Sequence, residues 1–166
     1  MKRGKNGQIK LSFGMIFSII LIIVFLAFAF YAIKTFLGIR DAAQTGKFIN
    51  DLKSDIDRVW KSTESSEERE YVLPSKINYI CFINFSESAK GGNAHIYSEL
   101  RFVYFGDENM VFYPLGSSNI DSIEIINIAL SEITSGENPF CIENVRGKVE
   151  LTLVKEIDEA LVTITR

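Results

Sequence analysis

With 166 residues, 47% of them hydrophobic, and a formal charge of −3, the chain has room for one domain and for an apolar segment besides. Its charges are unevenly placed: residues 1–40 hold six basic groups and no acid, whereas residues 41–166 hold twelve basic groups against all twenty-one acids. That acidic remainder has no basic cluster and argues against nucleic acid as a partner, and a single histidine, His95, leaves little for metal chemistry.

Residues 1–10, MKRGKNGQIK, read as a basic cytoplasmic N-terminus or leader. Residues 11–33, LSFGMIFSIILIIVFLAFAFYAI, follow without a charge. As a helix this stretch reaches about 35 Å, enough to cross a hydrocarbon core of about 30 Å. Lipid offers the backbone no partners, so an inserted segment must be helical, and the lipid bilayer is the first partner the sequence implies. Four of the six basic residues precede the apolar run. The positive-inside rule therefore predicts a single-pass protein of the cell membrane, N-terminus cytoplasmic and C-terminal domain extracytoplasmic.

Residues 34–61 turn amphipathic. Phe48, Leu52, Ile56 and Val59/Trp60 recur at helical spacing, with Asp51, Lys53, Asp55, Asp57 and Arg58 on the other faces. Proline is absent until residue 74. One near-continuous helix over residues 11–61 is expected, with Gly38 and Gly46 as places where it can bend. Leu52 and Ile56 should be buried, Asp51, Asp55 and Arg58 exposed, and Trp60 should anchor the helix to the following domain. Residues 62–70, STESSEERE, read as a polar linker.

Residues 71–166 read as an extracytoplasmic β-rich domain. KINYICFINF at 76–85 is a strand by its β-branched and aromatic content. SESAKGGN at 86–93 is a loop, and residues 94–105 fit a short helix through Ile96, Leu100 and Val103. Residues 110–114 form a strand, 120–130 have mixed periodicity, and 135–139 form a loop. KVELTLV and ALVTIT around residues 155–159 make an antiparallel hairpin. The fold class expected is α+β: a long N-terminal helix, transmembrane then amphipathic, followed by a small antiparallel sheet of about four to six strands.

Cys81 and Cys141 sit in apolar strand-like contexts, and outside the membrane a disulfide between them is the better reading. Asn84-Phe85-Ser86 is an N-glycosylation sequon, with Asn84 at a strand end where its side chain can face solvent. Ala27-Phe28-Ala29 has the small-x-small form that a secretory signal peptidase cuts, within an apolar run long for a cleaved signal. No catalytic set, cofactor motif or metal cluster emerges. His95 reads as a surface histidine, Gly91-Gly92 lacks the spacing of a phosphate loop, and Glu67-Glu68 and Asp158-Glu159 read as solvated loops. The chain is read as non-enzymatic.

Gly7-Gln8-Ile9-Lys10-Leu11-Ser12-Phe13 before the long apolar helix resembles the class III signal peptide of archaeal type IV pilin-like proteins. The resemblance covers about thirty residues and the general plan of a long helix followed by a β-rich head. It implies a prepilin peptidase cutting between Gly7 and Gln8, removing Lys2, Arg3 and Lys5. Lys10 and Ser12 stand where the family often has Ser and Glu. It further implies a cell-surface filament subunit whose residues 11–33 pack against copies of itself or other pilin-like subunits, with Gly14, Ser18, Ala27 and Ala29 allowing close approach. The rival reading is an uncleaved bitopic membrane protein that presents its β domain as a binding or scaffolding module.

Overall fold

The computed structural model describes residues 13–103 and 106–166. The chain divides into two units, residues 1–39 and 40–166. Helix α1, Phe13–Trp60, runs through both without interruption. Residues 11 and 12, part of the helix expected from the sequence, lie outside the described residues. The glycines do not break α1, and a Cβ at Gly38 or Gly46 would meet nothing within 4 Å. Lys47–Asp51 and Asp57–Lys61 ion pairs brace its second half at 2.5 and 2.6 Å. It ends where the Ser62 hydroxyl donates to the Val59 carbonyl, 2.6 Å.

The second unit is an α+β head built on seven strands. These are β1 (Ser65–Val72), β2 (Tyr79–Phe82), β3 (Met110–Tyr113), β4 (Ser122–Ile123), β5 (Phe140–Glu143), β6 (Lys148–Lys155) and β7 (Thr163–Thr165). Two short helices, α2 (Ala94–Leu100) and α3 (Leu130–Ile133), lie between them. All named strand pairs are antiparallel, but they form two sheets, β1-β6-β7 and β4-β3-β2-β5, in place of the single sheet of four to six strands expected. The expected C-terminal hairpin is present, with Leu153 opposite Ile164.

The α1 stripe fills the space between the sheets. Phe48, Leu52, Ile56 and Val59 are buried with Leu151 and Leu153 of β6, Ile164 of β7, and Ile80, Phe82 and Phe112 of the second sheet. The Phe48 ring meets Tyr71 edge-on at 5.4 Å and Phe112 at 5.8 Å, touching both sheets at once. Trp60, at the rim, donates its indole N–H to the Ala160 carbonyl at 3.0 Å. The opposite face of the second sheet is covered too. Cys81, Val111 and Cys141 pack with Ile83 and with Ile96, Tyr97 and Leu100 of α2. A sheet buried on both faces explains why residues 79–83 read as a continuous apolar run without alternation. α2 is shorter than the helix expected over 94–105: it yields to turns after Leu100, and Val103 is exposed, while residues 104 and 105 lie outside the described residues.

Residues 62–70 are not a linker. Most of them belong to β1, which pairs along its whole length with β6, from Ser65 opposite Lys155 to Val72 opposite Lys148. The strand escapes an apolar-periodicity reading because its inward positions meet the charged side of α1. Arg58 of α1 contacts Glu67 at 2.7 Å and Asp55 at 2.8 Å. Arg69 reaches Glu67, and the Tyr71 hydroxyl donates to Asp55 at 2.9 Å. Asp55 is accordingly half-buried and not exposed as expected, as is Asp51, whereas Arg58 is exposed. Charged side chains also suit β1 as a sheet edge, where they discourage pairing with another chain.

The Arg69 guanidinium, opposed by partial desolvation and then aided by Arg58, holds Glu67 below the ordinary carboxylate range. Burial, together with the hydrogen bond to Asp55, pushes Tyr71 above the ordinary phenol range. A depressed carboxylate contributes stability above its unfolded value of about 4.5 and loses it as the pH falls through the lower folded value. Thermal denaturation should therefore show stability declining below about pH 4.5, with a flatter decline in Glu67→Gln. Within the apolar stripe, Ile56→Ala should cost about 2–5 kcal/mol in denaturant titration. A cost under about 0.5 kcal/mol, the range of an ordinary surface change, would mean that the stripe is not core.

Candidate functional site

The feature with the clearest functional chemistry is the first half of α1. Every side chain from Phe13 to Ile33 is exposed, and α1 contains an 18-residue window of mean hydropathy 3.0 with none of it buried. A helix of that length and composition can cross a membrane. Ser18 turns its hydroxyl back to the Gly14 carbonyl at 2.8 Å, so its polar group is satisfied within the helix. Gly7 and Gln8, the expected processing site, lie outside the described residues, and so does the basic leader.

Cys81 and Cys141 are bonded. They sit directly opposite one another on β2 and β5, with an S–S distance of 2.08 Å and Cα atoms 4.0 Å apart. Both sulfurs lie in the cluster roofed by α2, which closes a loop of sixty residues inside the head. Arg166 donates to the Cys141 carbonyl at 2.8 Å, stacks 5.1 Å from the Phe140 ring and pairs with Glu137 at 3.1 Å. These contacts hold the C-terminus against β5 beside the disulfide.

Asn84 departs from expectation. The residue is only 7% exposed, and its backbone is stitched to the fully buried Asn138. The Asn84 backbone N–H donates to the Asn138 side-chain carbonyl at 3.0 Å, and the Asn138 amide donates back to the Asn84 carbonyl at 2.8 Å. The Asn84 amide nitrogen, where a glycan would attach, donates to Glu87 at 3.1 Å and Ser131 at 3.4 Å. The folded head therefore leaves that amide little room to carry a glycan.

Sequence reasoning missed a set of asparagines, Asn138 buried and Asn109 and Asn144 partly so, whose side chains bond the backbone of other segments. Asn138 and Asn109 each exchange two hydrogen bonds with one backbone residue, Asn84 and Ile125 respectively. Asn144 donates to the carbonyls of Pro74 at 3.0 Å and Ile77 at 2.7 Å. An asparagine side chain carries the same donor and acceptor as a peptide group, so it can complete a ladder where the chain has no strand to offer. Their one signal in the sequence is position, since Asn109, Asn138 and Asn144 each flank a strand.

His95 is exposed. Among the described residues no group of three or more His, Cys, Asp or Glu side chains is placed to hold a metal ion. The clefts of the head are shallow. One of about 570 Å3 runs between Lys53, Ile56 and Asp57 of α1 and residues 123–127, with Glu124, Ile126 and Asn127 on its far side. Among the aromatics of the head, Phe82, Tyr97 and Phe112 are buried, while Phe102 is exposed. Comparison of the chain with protein-family models, with curated proteins and with solved structures gives no match.

Removing the disulfide by a Cys81→Ala/Cys141→Ala double substitution should lower stability by about 4 kcal/mol, the chain-entropy value for a loop of this length. Denaturant titration with intact mass as the control on bonding measures this. A loss below about 1 kcal/mol would mean that the asparagine side-chain bonds and the α2 roof hold β2 and β5 together without it.

Proposed function

We propose that this chain is a non-enzymatic, membrane-anchored protein of the cell envelope, similar in plan to an archaeal type IV pilin-like subunit. The observation that carries the reading is the division of labour along α1. Its second half is the core of the head, whereas its first half is an uncovered apolar surface that only lipid or other apolar helices can satisfy. In this reading the basic leader stays in the cytoplasm and the acidic head is exported, where a disulfide persists. A prepilin peptidase cuts between Gly7 and Gln8. Helices from several subunits then bundle through residues 11–33, whose Gly14, Ser18, Ala27 and Ala29 let backbones approach.

A second reading is a bitopic protein that keeps its leader and presents the head as a binding or scaffolding module. One observation favours it: the stripe from Phe48 to Val59 is already satisfied inside its own chain, so the head needs no neighbour to complete its core. The two readings part at the N-terminus. Mass spectrometry of protein purified from native membranes should find a mature chain starting at Gln8. An intact Met1 would replace the pilin-like reading with the bitopic one.

A further inference from the structure

The head is acidic, with thirteen basic against twenty-one acidic residues over 40–166, yet one end of it reverses that balance. Arg40 and Gln44 of α1, residues 72–75 and residues 146–148 enclose a cleft of about 270 Å3. Arg40 and Lys76 share a single acid, Asp41, at 3.2 and 3.3 Å, and Lys148 is matched by Glu70 at 2.8 Å. Arg146 makes no ion pair among the described residues. The lining of the cleft thus carries three basic groups, Arg40, Arg146 and Lys148, and no acid, with Asp41, Glu70 and Glu150 beside it.

The fold holds Arg146 in place. It and Gly147 occupy the left-handed region, φ 56° and 87°, as the two central residues of a tight turn between Val145 and Lys148. The Gly147 carbonyl accepts from the Leu73 N–H at 2.9 Å, and a Cβ at Gly147 would come within 3.2 Å of the Leu73 carbonyl. Val72 and Val145 flank the basic groups and are both more than half exposed. Along the chain, Arg40 lies close to the end of the apolar run. Arg40 follows Ile33 by seven residues of continuous helix, about 10 Å of rise, against roughly 5–8 Å for one headgroup layer beside the hydrocarbon core, a difference that the long arginine side chain can span.

We propose that this end of the head is a membrane-surface site, in which Arg40 and Arg146 take the phosphates of lipid headgroups while Val72 and Val145 rest at the interface. The proposal depends on the membrane-anchored reading. The test is backbone hydrogen exchange on the full chain in lipid-bilayer discs. Phosphatidylcholine discs are compared with discs that also contain phosphatidylglycerol, and with detergent micelles holding inorganic phosphate. Residues 72–76 and 144–148 should exchange more slowly in the anionic discs than in either comparison. Arg40→Gln and Arg146→Asn, the latter chosen because asparagine tolerates a left-handed backbone, should each restore exchange about fivefold, the effect of about 1 kcal/mol per basic residue near an anionic surface. At 1 M salt, where the screening length falls to about 3 Å, the slowing should vanish. Equal exchange in both kinds of disc, slowing that survives both substitutions, or equal slowing by inorganic phosphate in micelles would each overturn the lipid site and leave the anchor intact. Failure of the chain to enter discs at all would overturn both.

Discussion

Phe48 is the side chain on which the head turns. The strands of the two sheets share no ladder with one another, and the face of each would stand open without the α1 stripe between them. By meeting Tyr71 of the first sheet and Phe112 of the second, Phe48 makes the helix a structural part of the head and not a stalk beneath it. Leu52, Ile56 and Val59 extend the same contact for three further turns. The helix that is apolar all round in its first half therefore becomes one-sided in its second, because there a protein core takes one face and water the other.

The second sheet needs more than this one face. Its strands are short, two to four residues each, and a sheet of such strands is weak unless both faces and its ends are secured. The stripe covers one face and α2 the other. The disulfide ties β2 to β5 from within, Asn109 and Asn138 exchange paired bonds with the backbone of neighbouring segments, and Asn144 ties the end of β5 to residues 74 and 77. The first sheet is held differently, by the long β1–β6 pairing and by the charges of Asp55, Arg58, Glu67 and Arg69.

Much of this was legible in the sequence where apolar spacing carried it. The helix, its buried stripe at Leu52 and Ile56, the terminal hairpin, the short helix after Gly92 and the cysteine pair follow from periodicity and composition. β1 was not legible, because its inward residues answer charges on α1 and a charged strand has no apolar alternation to read. Asn84 misled for a related reason: its three-residue motif carries no sign of the buried partner fifty-four positions away. The split into two sheets was hidden too, since it depends on which strands pair and not on which strands exist. Gly7 and Gln8, the expected processing site, were legible only as a short motif and lie outside the described residues.

The central claim is that the chain joins a membrane anchor to a head whose core includes the second half of α1. The most direct measurement pairs flotation of alkali-washed native membranes with thermal unfolding of a truncated chain, residues 34–166. The full chain should float with the bilayer. The truncated chain, prepared under oxidising conditions, should be soluble, with Cys81 and Cys141 bonded and a single cooperative transition. A full chain washed free of the membrane, or a truncated chain that no longer folds, would contradict the account.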